Sequence, residues 1–319
     1  MKSIVVCVAA ALLPFDAAIA QTFPSKVVRL VVPFAAGGSN DVVARSMATP
    51  LSKSLGQAVL VENRPGANTI LGTEAVARAP ADGHTVLIAG FTFISNAVLR
   101  SKLPYDPHKD FVGVAGLGQQ PYVISVHPSL PAKSIKELIG LAKKRPGELV
   151  YSMNGFGTGQ HFTGELLKLR SGIDMKPVAF QGGAPATVAV LGGHASILIS
   201  TAPPIVQHIP GGKLRPLAVT SRTRTDLLKD VPTMIESGLP DFDLTGGMGV
   251  FAPAGTPKHA IERLGTEIVR TLQVPELREG LVRDGFAVIP LRPAEFDAFV
   301  RTRMQQIQKI AKEAQVKVE

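Results

Sequence analysis

The chain has 319 residues, 45 % of them apolar, and a formal charge of +9. That length exceeds what one hydrophobic core ordinarily serves, so two domains are expected, and the apolar content is that of a globular protein. Lys and Arg are scattered, Trp is absent and only three Tyr can stack on bases; this argues against nucleic acid as a partner and leaves either a field that draws in small anions or a merely solvated surface.

The first element is an export signal. Lys2, the apolar run from Ile4 to Leu13 and the closing Ala18-Ile19-Ala20 are its three parts. Pro14 and Asp16 stop the run well short of the ~20 apolar residues a membrane anchor needs. Residues 1–20 are therefore expected to be a signal peptide cleaved after Ala20, giving an exported protein. Cys7, the only cysteine, falls inside it, so the mature chain has no disulfide, cysteine zinc site or thiol nucleophile. Lipid attachment is not expected there, because Cys7 lies within the apolar run rather than after it.

Beyond the signal, short β-branched runs alternate with helical patterns, predicting an α/β architecture with largely parallel sheets. The first strand, 27–32, ends in Pro33 and passes through Phe34-Ala35-Ala36-Gly37-Gly38. It enters a helix near Ser39 or Asn40, where Val43, Met47, Leu51 and Leu55 recur at helical spacing. Further strands are expected at 58–61, 85–89, 122–126, 149–152, 177–180, 195–200, 215–219 and 250–252. Ser134 with Glu137 forms a capping-box pattern for a helix ending at Arg145-Pro146-Gly147. Pro257, after Thr256, suits a first helical position, with Ile261, Leu264, Ile268 and Leu272 on one face. A last helix from 294 to about 314 is expected to bury Phe296, Phe299, Met304, Ile307 and Ile310.

One local pattern occurs twice. The strand ending at Val32 runs through Pro33 to Gly38 into its helix, and the strand ending at Ser152 runs through Met153-Asn154-Gly155-Phe156-Gly157-Thr158-Gly159 into another that contains His161. A glycine-rich turn feeding a helix start makes an anion cradle, because the first helical N–H groups lack partners and carry the positive end of the dipole. Two or three such N–H bonds hold a carboxylate without any Arg. The alternative is that glycine only makes a tight turn, as it does throughout α/β proteins.

A phosphate loop is excluded by the absence of G-x-x-x-x-G-K-[ST], and Gly155-x-Gly157-x-Gly159 is wrongly spaced for a dinucleotide. G-x-S-x-G and H-E-x-x-H are also absent, and the seven His include no pair at metal-ligand spacing. His161 could serve as a general base, but a hydrogen-bonding or packing role fits its place one turn into a helix better. Asp41 is expected to stabilise its own helix start or to pair with Arg45 at i+4; direct ligand contact is the alternative, and a carboxylate beside an anion site disfavours it.

From Phe23 to about Ala314 the chain resembles the Bug family, the extracytoplasmic solute receptors of tripartite tricarboxylate transporters. The resemblance is carried by VVPFAAGGSNDVVAR (31–45), VENRPGANTILG (61–72), ADGHTVL (81–87), KLPYDPHKDFVGV (102–114) and HPSLPAKSIKELIGLAKKRPGELVY (127–151). It continues through GQHFTGELLK (159–168), FQGGAPATVAVLGGH (180–194), GKLRPLAVTSRTR (212–224), VPTMIESGLPDF (231–242) and GVFAPAGTP (249–257). It implies a type II periplasmic-binding-protein fold: two α/β domains, joined by crossing strands, with a ligand cleft between them. Domain 1 would comprise 21–121 plus 246–319, and domain 2 would comprise 122–245. The resemblance also sets the two glycine loops on opposite lips of one cleft, which favours the cradle reading.

The candidate ligand-binding residues are then Phe34, Ala35, Ala36, Gly37, Gly38, Ser39 and Asp41; Phe91 and Thr92 after the third strand; Asn154, Gly155, Phe156, Gly157, Thr158 and His161; Gln181, Gly182 and Gly183; and Ser200 with Thr201. Three departures bear on the ligand. Gly246-Gly247-Met248-Gly249 stands where the family often has an aromatic. Ser196 and Ile199 stand where it commonly has an acid and a Phe. Gly90-Phe91-Thr92-Phe93-Ile94 is unusually apolar, which favours an apolar or aromatic ligand body over an amino acid unless Phe91 or Phe93 is core. The resemblance implies a monomeric transport receptor that performs no chemistry, needs no cofactor or metal, and delivers a small carboxylate to membrane permease subunits. The alternatives are a receptor that presents its ligand to a signalling partner and an exported hydrolase using His161, the latter lacking a nucleophile elbow.

Overall fold

The computed structural model describes residues 23–316, so the expected export signal and its cleavage site lie outside the described residues. The chain builds one α/β lobe, crosses to a second and returns. In the first lobe β1 (Val28–Val32) leads to α1 (Ser39–Leu55), β2 (Val59–Asn63), α2 (Ile70–Ala77), β3 (Thr85–Gly90), α3 (Phe91–Leu99) and β4 (Phe111–Pro121). The second lobe holds β5 (Val123–Val126), α4 (Ile135–Lys144), β6 (Val150–Met153), α5 (Gly159–Ser171), β7 (Lys176–Ala179), α6 (Gly183–Leu191), β8 (Ile197–Ser200) and β9 (Arg215–Val219). The chain returns through β10 (Thr245–Pro253), followed by α7 (Lys258–Leu272), α8 (Pro275–Arg283), β11 (Ala287–Leu291) and α9 (Pro293–Glu313).

The expectation of largely parallel sheets is corrected. The sheet orders are β11-β4-β10-β3-β1-β2 and β7-β6-β8-β5-β9. The β1–β2, β1–β3, β6–β7 and β6–β8 pairs are parallel, whereas β10 runs antiparallel to β3 and β4, β11 to β4, and β5 to β8 and β9. Each antiparallel strand either crosses between lobes or sits beside one that does. A chain that leaves a lobe and comes back brings a strand in from the far end, and no helical crossover then enforces parallel pairing.

Each sheet buries both faces, which is why its strands read as apolar runs rather than alternating ones. Leu30, Val32, Val86 and Ile88 meet Val43, Met47 and Leu51 of α1 and Ile261, Leu264 and Ile268 of α7 in one fully or almost fully buried core. The other face of the first sheet packs on α3 and α9. There Phe93 lies against Phe111 and Phe251, and Phe251 against Phe296. This contact calls for glycine on both strands: a Cβ at Gly113 or Gly116 of β4 would lie 3.0 Å from the Phe296 ring, and one at Gly249, the partner of Gly116 on β10, 2.0 Å. The last turns of α9 reach the second lobe. Ile307, Ile310 and Val316 share a core with Phe162 and Leu166 of α5, and Arg170 pairs with Glu313 at 3.2 Å.

Where the chain crosses, Thr220 ties the two connecting segments together. Its hydroxyl accepts the Tyr122 N–H (2.9 Å) and donates to the Leu244 carbonyl (2.5 Å). Its N–H donates to the Tyr122 carbonyl (3.0 Å), and its carbonyl accepts the Leu244 N–H (3.2 Å). Among the described residues no helix is long and apolar enough to cross a membrane.

Candidate functional site

The cleft between the lobes has an empty volume of about 630 Å³, solvent at its mouth included. It is lined by Phe34, Gly38, Ser39, Asn40, Gly90, Phe91, Thr92, Gln120, Tyr122, Asn154, Gly159, Gln160, Gly182, Gly183, Thr201, Gly246, Gly247 and Met248. No Lys, Arg, His, Asp or Glu is among these residues. Four helices begin here instead: α1 after Gly38, α3 after Gly90, α5 after Thr158 and α6 after Gly182. Three of the four N-caps are glycines with no side chain to cap the helix. Each helix start brings unpartnered N–H groups and about half a positive charge, so the cleft is electropositive without containing a cation.

The first-lobe loop meets the cleft through Phe34, Gly38 and Ser39. The first intrahelical bond of α1 is from Val42 to Gly38, which leaves the Ser39 and Asn40 N–H groups free. Ala36 and Gly37 are exposed and lie off the cleft wall, and Ala35 touches the other lobe, 3.5 Å from where a Gly182 Cβ would be. Asp41, a candidate contact from sequence, does not line the cleft. Its carboxylate accepts from the Gly37 N–H (2.9 Å), Arg45 Nε (2.9 Å) and Asn63 Nδ2 (2.9 Å). Burial works to raise its pKa, but these bonds outweigh burial and hold it below the usual carboxylate range. Its task is to shape the loop.

In the second lobe the cradle sits later than the glycine pattern indicated. The Thr158 hydroxyl accepts the His161 N–H (3.3 Å) and donates to the Gly155 carbonyl (2.7 Å). The His161 Nδ1 accepts the Gly157 N–H (3.1 Å). Thr158, Gly157 and His161 thus spend their polar groups on the turn and are absent from the cleft wall. Burial lowers the His161 pKa to about 4, so the ring is neutral and suited to accepting that N–H. The free donors are the N–H groups of Gly159 and Gln160. Gly159 is glycine for want of space: a Cβ there would lie 1.8 Å from the Tyr122 hydroxyl. Gly155, Phe156 and Gln181 line an adjoining hollow with Pro33 and Asn68, while Asn154 lines both spaces.

Gly182, Gly183 and Thr201 face the cleft; Ser200 lies behind, its hydroxyl 3.5 Å from the position of a Gly183 Cβ. Phe91 and Thr92 line the cleft from the start of α3, a helix not anticipated from sequence. Phe93 is core.

The lips meet. Ser39 Oγ and Thr201 Oγ1 are 2.5 Å apart, and Ser95 donates to the Gly157 carbonyl. Several buried polar atoms around the closed cleft have no partner: Gln120 Oε1 and Nε2, Asn154 Oδ1 and Ser200 Oγ. Leaving such groups unpaired costs roughly 1–3 kcal/mol each; of them Gln120 and Asn154 line the cleft, where a polar ligand can reach them. Gln120, Tyr122, Asn40, Gly159 and Gln160 were not singled out from sequence. Gln120 and Tyr122 carried no motif, and Gln160 was overshadowed by the glycines before it.

Two α/β lobes closed over a cleft walled by helix N-termini define a solute receptor of the periplasmic-binding-protein type. The family model described as the tripartite tricarboxylate transporter family receptor matches residues 43–316, and the chain belongs to that family. Protein BugT of Bordetella pertussis is 35 % identical over 301 residues, 94 % of this chain and 92 % of that protein. Among solved structures, R. palustris Rpa4515 with adipate is 32 % identical with a TM-score of 0.90, covering 92 % of this chain and 99 % of that one. MatC from Rhodopseudomonas palustris with bound malate is 30 % identical with a TM-score of 0.85, covering 90 % and 99 %. Receptors of this family are periplasmic solute-binding proteins rather than enzymes, and they work with membrane transporter subunits.

Proposed function

We propose that this chain is exported, binds one small carboxylate between its lobes and delivers it, as a monomer, to the permease subunits of a tripartite tricarboxylate transporter. The lobes are taken as 21–121 plus 246–319 and 122–245. One observation carries the reading: four helix N-termini converge on a cleft whose wall contains no charged side chain. Backbone N–H groups aimed into the cleft select an anion. Phe34, Phe91 and Met248 supply an apolar surface for the ligand body. No carboxylate lines the wall to receive an ammonium group, which disfavours amino acids. The adipate and malate held by two structural neighbours fit the same class.

A thermal-shift screen over mono-, di- and aromatic carboxylates, followed by calorimetry, tests this. At least one carboxylate should raise the melting temperature and bind with a one-to-one stoichiometry, while its carboxamide does not. Binding of the carboxamide as tightly as the acid would overturn the anion reading.

A further inference from the structure

Beside the helix N-termini the cleft has a second polar patch, and it belongs to the crossing strand. Gln120 and Tyr122 lie two residues apart at the end of β4, so both side chains leave one face of the strand. Gln119, the residue before Gln120, turns the other way, its Oε1 lying 2.7 Å from Thr245 Oγ1 and 3.1 Å from Arg303. Gln120 is only 3 % exposed and lines the cleft, yet neither atom of its amide has a partner. Turning the amide over changes nothing, because both ends are unsatisfied. Tyr122 is 3 % exposed and lines the same cleft, its hydroxyl lying over the start of α5. Burial holds that phenol well above its ordinary pKa, so it remains a donor.

The patch therefore offers an acceptor, Gln120 Oε1, a donor, Gln120 Nε2–H, and the Tyr122 hydroxyl, which can do either. A carboxylate only accepts and would face Oε1 with a like partial charge; an ammonium only donates. A hydroxyl has one proton to give and two lone pairs to fill, which satisfies all three groups at once. We propose that Gln120 and Tyr122 form a specificity subsite for a hydroxyl on the ligand body, so that the preferred ligands are hydroxycarboxylates. This rests on the carboxylate reading above and adds to it what the opposite wall of the cleft selects.

The test is calorimetry on matched pairs that differ by one hydroxyl: malate and succinate, lactate and propionate, 3-hydroxybutyrate and butyrate, mandelate and phenylacetate. For at least one pair the hydroxy acid should bind the wild-type protein at least about tenfold more tightly, the scale of one well-placed hydrogen bond. In Gln120→Met, which keeps the length of the side chain and removes its polar atoms, that ratio should fall below about three. Tyr122→Phe should lower the ratio less, and it decides the matter alone if Gln120→Met does not fold. Equal binding of both members of every pair, or a ratio unchanged in the variants, overturns the subsite while leaving the carboxylate reading intact. No binding by any carboxylate overturns both.

Discussion

At the start of α1 the N-cap is Gly38, which has no side chain, and the N–H groups of Ser39 and Asn40 are left for the cleft. At the start of α5 the N-cap is Thr158, whose hydroxyl takes the N–H of His161, while the His161 ring takes that of Gly157. The two loops have the same glycine-rich outline. Both spend the N–H before the N-cap on the third helical residue, Gly37 on Asp41 and Gly157 on His161, and both offer the first two helical N–H groups; they differ in that Thr158 claims one donor more with its hydroxyl, which Gly38 cannot do. An anion cradle is thus decided by which donors the protein's own side chains leave unclaimed.

The largest effect is expected from the internal bonds of the second loop. His161 titrates near 6.5 when unfolded and at about 4 when folded, because burial disfavours the charged ring. Its folded pKa is depressed, so the unfolded state takes up the proton first as pH falls. The stability tied to the neutral ring is fully present above about pH 6.5 and is lost progressively toward pH 4, by at most about 3 kcal/mol. Urea unfolding across that range should show the loss, and His161→Gln, neutral throughout, should flatten it. A variant that keeps the wild-type slope would place the pH sensitivity elsewhere.

Gly38→Val tests the first loop in isolation. Gly38 has φ −84°, which any residue adopts, and a Cβ there meets nothing nearer than 3.7 Å. The variant should stay within ~1 kcal/mol of wild-type stability and lose at least about 2 kcal/mol of carboxylate binding, as one or two charge-assisted bonds are blocked. Melting and calorimetry together check it; unchanged affinity would remove this loop from the cradle. Gly37→Val is a poorer probe, because φ +82° at that position strains a branched residue whatever the ligand does.

Thr158→Val should behave in the opposite way. Losing the cap should cost ~1 kcal/mol of stability, with little direct effect on affinity, since the hydroxyl is occupied by the loop. A large affinity loss at wild-type stability would show that the Thr158 hydroxyl serves the ligand rather than the loop. The smallest effect is expected from Ser39→Ala, which removes the hydrogen bond to Thr201 across the lips. It should cost closure ~0.5–1.5 kcal/mol and show as a larger radius of gyration of the unliganded protein by small-angle scattering.

The fold was legible wherever burial imposes a repeating pattern. The strand at 215–219 and the helix beginning at Ser39 stand where their apolar spacing put them. β4 was missed because Gly113, Gly116 and Gly118 dilute its strand signal to make room for aromatic rings, a reason that exists only in three dimensions. β11 was missed because Pro290 interrupts it, which an edge strand tolerates. In the site, helix starts were visible as glycine followed by apolar periodicity, but which N–H groups remain free was not. That depends on Thr158 and His161 folding back on their own turn, and on Asp41 closing the turn before α1. Gln120 and Tyr122 were invisible for another reason: a polar residue on a crossing strand has no local signature, and its meaning comes from the lobe it faces.

The hydroxyl and backbone of Thr220 pin the outgoing segment at Tyr122 to the returning one at Leu244, so the two connections behave as one flat strap. A strap flexes readily across its width and resists being wrung. Opening is thereby expected to be confined to a single swing that returns the lips to one register, Ser39 facing Thr201, with no sideways search on the return.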